Sequence, residues 1–234
     1  MAYLQPSDIT PLALEDARSS EIETLRFLQK ELPNDYTIFH SVHWASESAA
    51  RTAYGEIDFV IVNRAGEILV IEQKDGGLEE TVDGLVKYYG KKGKVVNSQV
   101  QRNIGRTRKK FSDQHGGESG LIISYLVYCP QYRVIDFNGA GIDASRTVDA
   151  STKNELAKRV QQLLDAGDRN KEHWGHFVRS FFANTMRIVP DISSYVSSQS
   201  RVFTQTLEGL GDVIDKLDFS PFRLRVIGTA GCGK

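Results

Sequence analysis

The amino-acid sequence predicts an α/β fold in which helices flank a mixed central sheet. Two segments, 55–62 and 68–74, are almost continuously apolar, as is typical of strands that are buried on both faces. The short loop between them predicts a hairpin. Segments with helical apolar spacing precede and follow this hairpin, and another apolar run occupies 121–129. Helices and strands therefore alternate along the chain, which favours a layered arrangement.

The other elements are predicted from apolar spacing and from capping residues. A helix is predicted over 21–32, with Ser19 or Ser20 as its cap, because its apolar residues recur on one face. A strand over 36–44 and a loop to Arg51 separate this helix from the hairpin. Beyond the hairpin, the sequence predicts short strands near Gly84, Gly90 and Gly93, and a strand over 121–129. It also predicts a helix that starts in the segment 97–102, has Ser98 as its cap and runs to about Gln114, and further helices over 152–166 and 174–186.

The predicted hairpin brings three charged side chains together at its open end. If Arg64–Gly66 forms the loop, counting back along both strands places Asp58 opposite Glu72, and opposed residues have Cβ atoms about 4.5–5.5 Å apart. Lys74 shares the face of Glu72 because it lies two residues further along the strand. Opposed carboxylates repel each other, so we expect a divalent cation, Mg²⁺ or Mn²⁺, between them. The alternative is a simple ion pair between Lys74 and one of the acids.

A block of positive charge follows the hairpin, although the whole chain carries 29 basic and 30 acidic residues. No acid interrupts the basic residues between positions 87 and 110, which predicts a phosphate-binding surface for DNA or RNA. Tyr88 and Tyr89 lie within this block and would stack on bases. The alternative is a solvated helix face. The basic residues are Lys87, Lys91, Lys92, Lys94, Arg102, Arg106, Arg108, Lys109 and Lys110.

The hairpin sequence resembles a known family. The segments Gly55-Glu56-Ile57-Asp58 and Val70-Ile71-Glu72-Gln73-Lys74 resemble the core of the nuclease-related domain, NERD, over about residues 18–130. This domain is similar to the PD-(D/E)-x-K restriction-endonuclease superfamily. The resemblance implies a restriction-endonuclease-like fold and a metal-dependent DNA nuclease.

The resemblance also implies roles for the hairpin residues. Asp58, Glu72 and the backbone carbonyl of Gln73 would bind Mg²⁺ or Mn²⁺, which would polarise the scissile phosphate and lower the pKa of a bound water. Lys74 would orient this water and stabilise charge in the transition state. Two alternatives remain open: an inactive nucleic-acid-binding module that loads a helicase, and an assembly domain of a truncated ATPase.

Two residues outside the hairpin complete the implied site. The acid of the family's first helix matches Glu21, which would hold the outer shell of the metal or a second ion; Glu23 is the alternative. A first-turn acid is also favoured by the helix dipole alone. The family's N-P-x-x-Q segment matches Asn97 and Gln101, with Ser98 in place of the proline, and Gln101 would position water or phosphate.

The C-terminal residues predict the beginning of a second domain. A strand pattern over 222–227 is followed by the spacing G-x-x-x-x-G-K, which is typical of the phosphate-binding loop of NTPases; the alternative is a chance glycine-rich tail. NERD domains joined to helicase-like ATPases are a familiar arrangement, so the resemblance implies a helicase domain in cis and ATP binding only in a longer protein. The loop residues are Gly228, Gly231, Gly233 and Lys234. The predicted divisions are a nuclease domain over 1–185, a linker and helix over 186–221, and a truncated NTPase domain over 222–234.

Composition favours a globular protein with an ordinary core, since 40% of the residues are hydrophobic. No segment has the unbroken apolar length of a membrane span, and no basic-then-apolar signal opens the chain. Cys129 and Cys232 lie in different segments and suggest no disulfide framework. We therefore expect a cytoplasmic protein without a membrane partner.

Overall fold

The computed structural model describes residues 1–7, 19–48, 51–90, 92–116, 120–136 and 142–184. The chain divides into two units, Met1–Val189 and Pro190–Lys234. The second unit lies outside the described residues. The predicted linker, its helix, the strand over 222–227 and the four P-loop residues therefore also lie outside them.

Strands and helices alternate along the described residues, which confirms the predicted α/β class. The strands are β1 (Tyr3–Gln5), β2 (Thr37–Ser48), β3 (Arg51–Val62), β4 (Ile68–Gln73), β5 (Leu78–Thr81), β6 (Gly84–Tyr89), β7 (Lys92–Val95), β8 (Ile123–Cys129) and β9 (Thr147–Asp149). The α-helices are α1 (Ser19–Glu31), α2 (Val96–His115), α3 (Leu156–Leu163) and α4 (Glu172–Asn184). None of these described helices is both long enough and apolar enough to cross a membrane.

A mixed sheet with the strand order β1-β2-β3-β4-β8-β9 forms the centre of the described fold. Strands β2, β3 and β4 are antiparallel neighbours, whereas β1 pairs with β2, β8 with β4, and β9 with β8 in parallel. A second sheet with the order β5-β6-β7 follows β4 in the chain. This arrangement is consistent with the restriction-endonuclease-like fold that the resemblance implies.

Both faces of the β3–β4 hairpin are buried, as its apolar sequence predicts. On one face, Phe59 and Ile61 pack with apolar residues of α1 and α3. On the other, Val60 and Val62 pack with apolar residues of α2 and α4. The hairpin therefore lies between two layers of helices. A charged side chain at the end of β3 or β4, such as Glu72, can consequently be buried in the protein interior.

The hairpin has the predicted register. Val62 pairs with Ile68, and the pairing continues to Phe59 and Ile71. The backbone N–H of Asn63 donates to the carbonyl of Glu67 at 3.1 Å, which closes the three-residue loop. Beyond Phe59 and Ile71 the ladder between the two strands ends, so the positions of the predicted acids are the first that lie outside it.

Several predicted boundaries differ from the structure; the helix predicted over 152–166, for example, is the shorter α3, which follows a 3₁₀ turn over Lys153–Glu155. The loop predicted before Arg51 is mostly strand, because β2 continues to Ser48 and pairs with β3. Helix α1 already begins at Ser19, so Ser20 is a helical residue. Helix α2 begins at Val96, and the residue before it makes no side-chain cap, so Ser98 is not the cap. Burial of Val96 in the core outweighs the local capping preference.

The loop of the hairpin is packed tightly against α4. The carbonyl oxygen of Arg64 lies so close to Gly175 that a Cβ at this glycine would overlap it, and the carbonyl carbon would lie only 2.8 Å away. The guanidinium of Arg179 donates to the carbonyl of Asn63 at 3.2 Å. Glycine is therefore required at 175 by the close approach of two backbones.

We expect Gly175→Ala to lower the free energy of unfolding by about 1–3 kcal/mol, because the new methyl group overpacks this contact. Urea unfolding monitored by circular dichroism measures the change. Gly105→Ala is the matched control, since Gly105 lies in α2 and a Cβ there would meet nothing within 4 Å. This control should raise stability by up to about 1 kcal/mol through helix propensity. A Gly175→Ala protein as stable as wild type would contradict the proposed steric constraint.

Candidate active site

A cavity of about 390 Å³ opens at the end of the hairpin where β3 and β4 stop pairing. Residues of α1, β3, β4, the β5–β7 sheet and α2 line it. Among the predicted site residues, Glu21, Asp58 and Lys74 lie on its wall, together with Gln73. Segments that are far apart in sequence therefore meet at one polar cavity.

Glu72 lies beneath this cavity and has no solvent-exposed surface. The ammonium group of Lys74 contacts its Oε1 atom, and Gln99 Nε2 donates to the same oxygen at 2.5 Å. Asn103 Nδ2 donates to Oε2 at 3.3 Å. A carboxylate offers about four acceptor positions, so these donors leave capacity for a further interaction.

Asp58 binds the backbone of the neighbouring strand. Its Oδ2 atom accepts a hydrogen bond of 2.7 Å from the backbone N–H of Gln73. The pairing of β3 with β4 ends at Phe59 and Ile71, so this N–H has no partner in that ladder. A buried backbone donor nevertheless needs a hydrogen-bond acceptor. Asp58 supplies that partner, and its side chain is thereby held beside the end of β4.

The charges of the three predicted hairpin residues act on one another. Burial raises the pKa of Glu72, the charge of Asp58 raises it further, and Lys74 opposes both effects. Burial alone would lower the pKa of Lys74, but the charges of Asp58 and Glu72 together raise it above its ordinary value. Two carboxylates thus share one ammonium group, and the cluster has the electrostatic character of a cation site.

Glu21 reaches the cavity because the first turn of α1 is fastened to the end of β4. Ser20 Oγ donates to Asp75 Oδ1 at 2.9 Å, and Gln73 Nε2 donates to Ser20 Oγ at 2.9 Å and to Asp75 at 3.1 Å. Ser20 therefore joins two elements instead of capping the helix. The half-buried Glu21 follows it on the cavity wall. The alternative, Glu23, is exposed and does not line the cavity.

The structure does not place Gln101 at the cavity, so a role for it in the site stays a prediction. Gln101 is exposed and does not line the cavity, whereas Gln99 lines it and binds Glu72. An α-helix turns by about 100° per residue, so two residues separated by two positions lie on nearly opposite faces. The start of α2 at Val96 puts Gln99 in the first turn, on the face that meets β4. Matching the family segment by spacing alone missed this rotation.

Asn103 is a site residue that sequence reasoning missed. Its Oδ1 atom accepts from Trp44 Nε1 at 3.0 Å, while its Nδ2 atom donates to the carbonyl of Glu56 at 3.0 Å and to Glu72. Asn103 thus links α2 to three strands. A signal was present, because Asn103 lies three residues after Val100 on the apolar face of the predicted helix. A polar residue at such a position needs a buried partner.

The basic residues do not form one surface at the cavity. Lys87, Lys94 and Arg102 line it. Lys109 lies about 10 Å along the helix axis from Arg102 and forms an exposed ion pair with Asp113 at 2.9 Å. Four other basic residues of the block do not line the cavity: Lys92 and Arg108 are exposed, Lys110 is half-buried, and Arg106 is partly buried. The Arg106 guanidinium lies 5.7 Å from the centre of the Trp44 ring. Lys91 lies outside the described residues.

The tyrosines of the basic block also separate. Tyr89 lines the cavity, and Tyr88 does not. Successive residues of a strand point to opposite faces of the sheet, so one tyrosine of the pair is excluded from the cavity. The sequence could not show which one, because the position of the β5–β7 sheet depends on contacts distant in the chain.

The chemistry of the site fits a hard divalent cation. The oxygens at the end of the hairpin include the carboxylates of Asp58 and Glu72 and the backbone carbonyl of Gln73, which accepts from Lys74 Nζ at 3.2 Å. The side-chain Oε1 of Gln73 is buried without a hydrogen-bond partner among the described residues. No cluster of three His, Cys, Asp or Glu side chains suited to a metal occurs within the described ranges. Mg²⁺ is compatible with such a site because it retains waters and commonly uses only one or two carboxylates.

Part of the chain matches the model of a known protein family. Residues 17–129 match the family model described as the nuclease-related domain. This segment runs from the residues just before α1 to the end of β8, and it contains every cavity residue named above. No curated protein and no solved structure matches the chain.

We expect Lys74→Met to lower the free energy of unfolding by about 1–3 kcal/mol, because the buried Glu72 loses a hydrogen-bond donor and its charged partner and must take up a proton in compensation. Urea unfolding at neutral pH without divalent cations provides the measurement. The double variant Lys74→Met/Glu72→Gln removes both charges and should lose less stability than the single variant. Equal losses in the single and double variants would contradict the inferred coupling.

Proposed function

We propose that this chain contains a metal-dependent nuclease that hydrolyses phosphodiester bonds of DNA at the cavity. The observation that carries the proposal is the convergence of Asp58, Glu72 and Lys74 at the end of one hairpin. The match of residues 17–129 to a nuclease-related family supports the same reaction class.

In this proposal, Asp58, Glu72 and the backbone carbonyl of Gln73 hold Mg²⁺ or Mn²⁺. When bound, the cation would polarise the scissile phosphate and lower the pKa of the attacking water. Glu21 of α1 lines the same cavity and contributes a further carboxylate for outer-shell waters or a second ion. The fold holds these oxygen atoms in place before any substrate binds.

In this proposal, Lys74 acts as a hydrogen-bond donor. In the metal-free protein, the charges of Asp58 and Glu72 raise the pKa of Lys74 above its ordinary value, which favours the protonated amine. A protonated amine has three donors and no acceptor. Lys74 therefore orients the attacking water through its oxygen and stabilises negative charge that develops on the phosphate.

The positive residues on the cavity wall would bind the sugar–phosphate backbone. Lys87, Lys94 and Arg102 offset the acidic centre and attract phosphates to it. Binding through these contacts must weaken as salt concentration rises, because bound counterions are released from the nucleic acid.

We also propose that the nuclease works beside a helicase-like domain that binds ATP. The support is the spacing of Gly228, Gly233 and Lys234 after a strand pattern. Such a partner would supply the nuclease with DNA strands that have been separated.

A second candidate function is an inactive nucleic-acid-binding module. One observation favours it: Glu72 is completely buried, and Lys74, Gln99 and Asn103 already donate to its carboxylate. A metal would have to compete with these donors. DNA binding without cleavage in Mg²⁺ or Mn²⁺ would favour this alternative.

The test of the proposed function is nicking of supercoiled plasmid DNA with Mg²⁺, with Mn²⁺ and with EDTA. We expect cleavage with either metal and none with EDTA. Glu72→Gln and Asp58→Asn should each lower the rate roughly 100-fold or more, since each removes charge that stabilises the transition state through the metal. Circular dichroism checks that the variants are folded. Undiminished cleavage by both folded variants would overturn the site assignment.

A second experiment separates the two glutamines of α2. Gln99→Ala should lower the cleavage rate, because Gln99 binds the carboxylate of Glu72, whereas Gln101→Ala should cleave like wild type. The two changes are chemically identical and lie in the same helix, so each serves as the control for the other. Loss of cleavage only in Gln101→Ala would favour the family-based assignment over the observed geometry.

A further inference from the structure

The β5–β7 sheet presents alternate side chains of β6 to the cavity. Lys87 and Tyr89 line the cavity, and Lys94 of β7, which pairs with Lys87, lines it as well. The intervening Tyr88 packs on the opposite face, where a Cβ at Gly93 would lie 3.1 Å from its ring. The alternation of side chains along the strand therefore places one aromatic ring and two ammonium groups on the face of the sheet that lines the cavity.

The ring of Tyr89 is exposed at this cavity. Its relative exposure is 52%, which is high for a large aromatic side chain that lines a cavity. The Lys94 ammonium lies 5.1 Å from the centre of the ring. This cation–π contact covers one face of the ring and restrains its orientation.

An exposed aromatic ring between cationic side chains is a surface for an unpaired base. Bases stack on aromatic side chains without regard to sequence, while neighbouring phosphates contact Lys or Arg. A base inside a duplex already stacks on its neighbours, so a side-chain ring reaches it only after it has left the helix. A ring beside the reacting phosphate therefore selects for nucleotides that are unpaired.

We propose that Tyr89 stacks on an unpaired base of the substrate, with Lys87 and Lys94 on the adjacent phosphates, and that the nuclease acts on single-stranded DNA. This inference rests on the proposed function, because it assumes that the cavity binds DNA. The inference goes further than the proposed function because it specifies single-stranded DNA as the substrate and Tyr89 as the residue that selects it.

The test measures binding separately from cleavage. Fluorescence anisotropy with EDTA present compares a labelled twelve-nucleotide oligothymidine with a twelve-base-pair duplex. We expect the single strand to bind more tightly to the wild type, and Tyr89→Ala to weaken its binding about 5- to 150-fold, the range of base–aromatic stacking. Duplex binding should change little. Tyr89→Phe should retain single-strand binding, because it keeps the ring.

Tyr88→Ala is the matched control, since it removes an equally exposed tyrosine from the other face of the same strand. We expect its single-strand affinity to equal that of the wild type. Unchanged single-strand affinity in Tyr89→Ala, or a stronger preference of the wild type for the duplex, would overturn the stacking inference alone. Absence of both DNA binding and metal-dependent cleavage in the wild type would instead overturn the proposed function.

Discussion

The contact between Lys74 and the buried carboxylate of Glu72 determines how the rest of the site is arranged. A carboxylate without solvent exposure must have charged or hydrogen-bonding partners, and Lys74, directly after β4, is one of them. Helix α2 supplies Gln99 and Asn103. These hydrogen bonds, together with the packing of the apolar face of α2 in the core, hold the helix against the sheet beside the cavity.

Much of the fold could be predicted because it depends on local periodicity. The hairpin of β3 and β4 has the register that counting from its three-residue loop predicts, since side-chain alternation and loop length leave little freedom. Its near-continuous apolar runs also identified a strand pair buried on both faces. Capping was predicted less well: Ser20 binds Asp75 of another element instead of capping α1, and no local pattern reveals that contact.

Within the site, residues of the hairpin were easier to predict than residues of the helices. Each position along α2 turns the side chain by about 100°, so Gln99 and Gln101 lie on nearly opposite faces, and only Gln99 meets Glu72. Likewise, only the packing of the β5–β7 sheet determines that Tyr89 lines the cavity and Tyr88 does not. Residue types in a motif indicate which chemistry a site can perform. Which residues from other elements complete the site depends on tertiary contacts that the motif does not contain.

Asn103 connects the acidic centre to an indole ring. One end of its amide binds Glu72, and the other accepts a hydrogen bond from Trp44. Trp44 also lines the cavity. A rearrangement at the carboxylate would therefore change the polar surroundings of the indole, and we expect the fluorescence of Trp44 to respond when a cation binds.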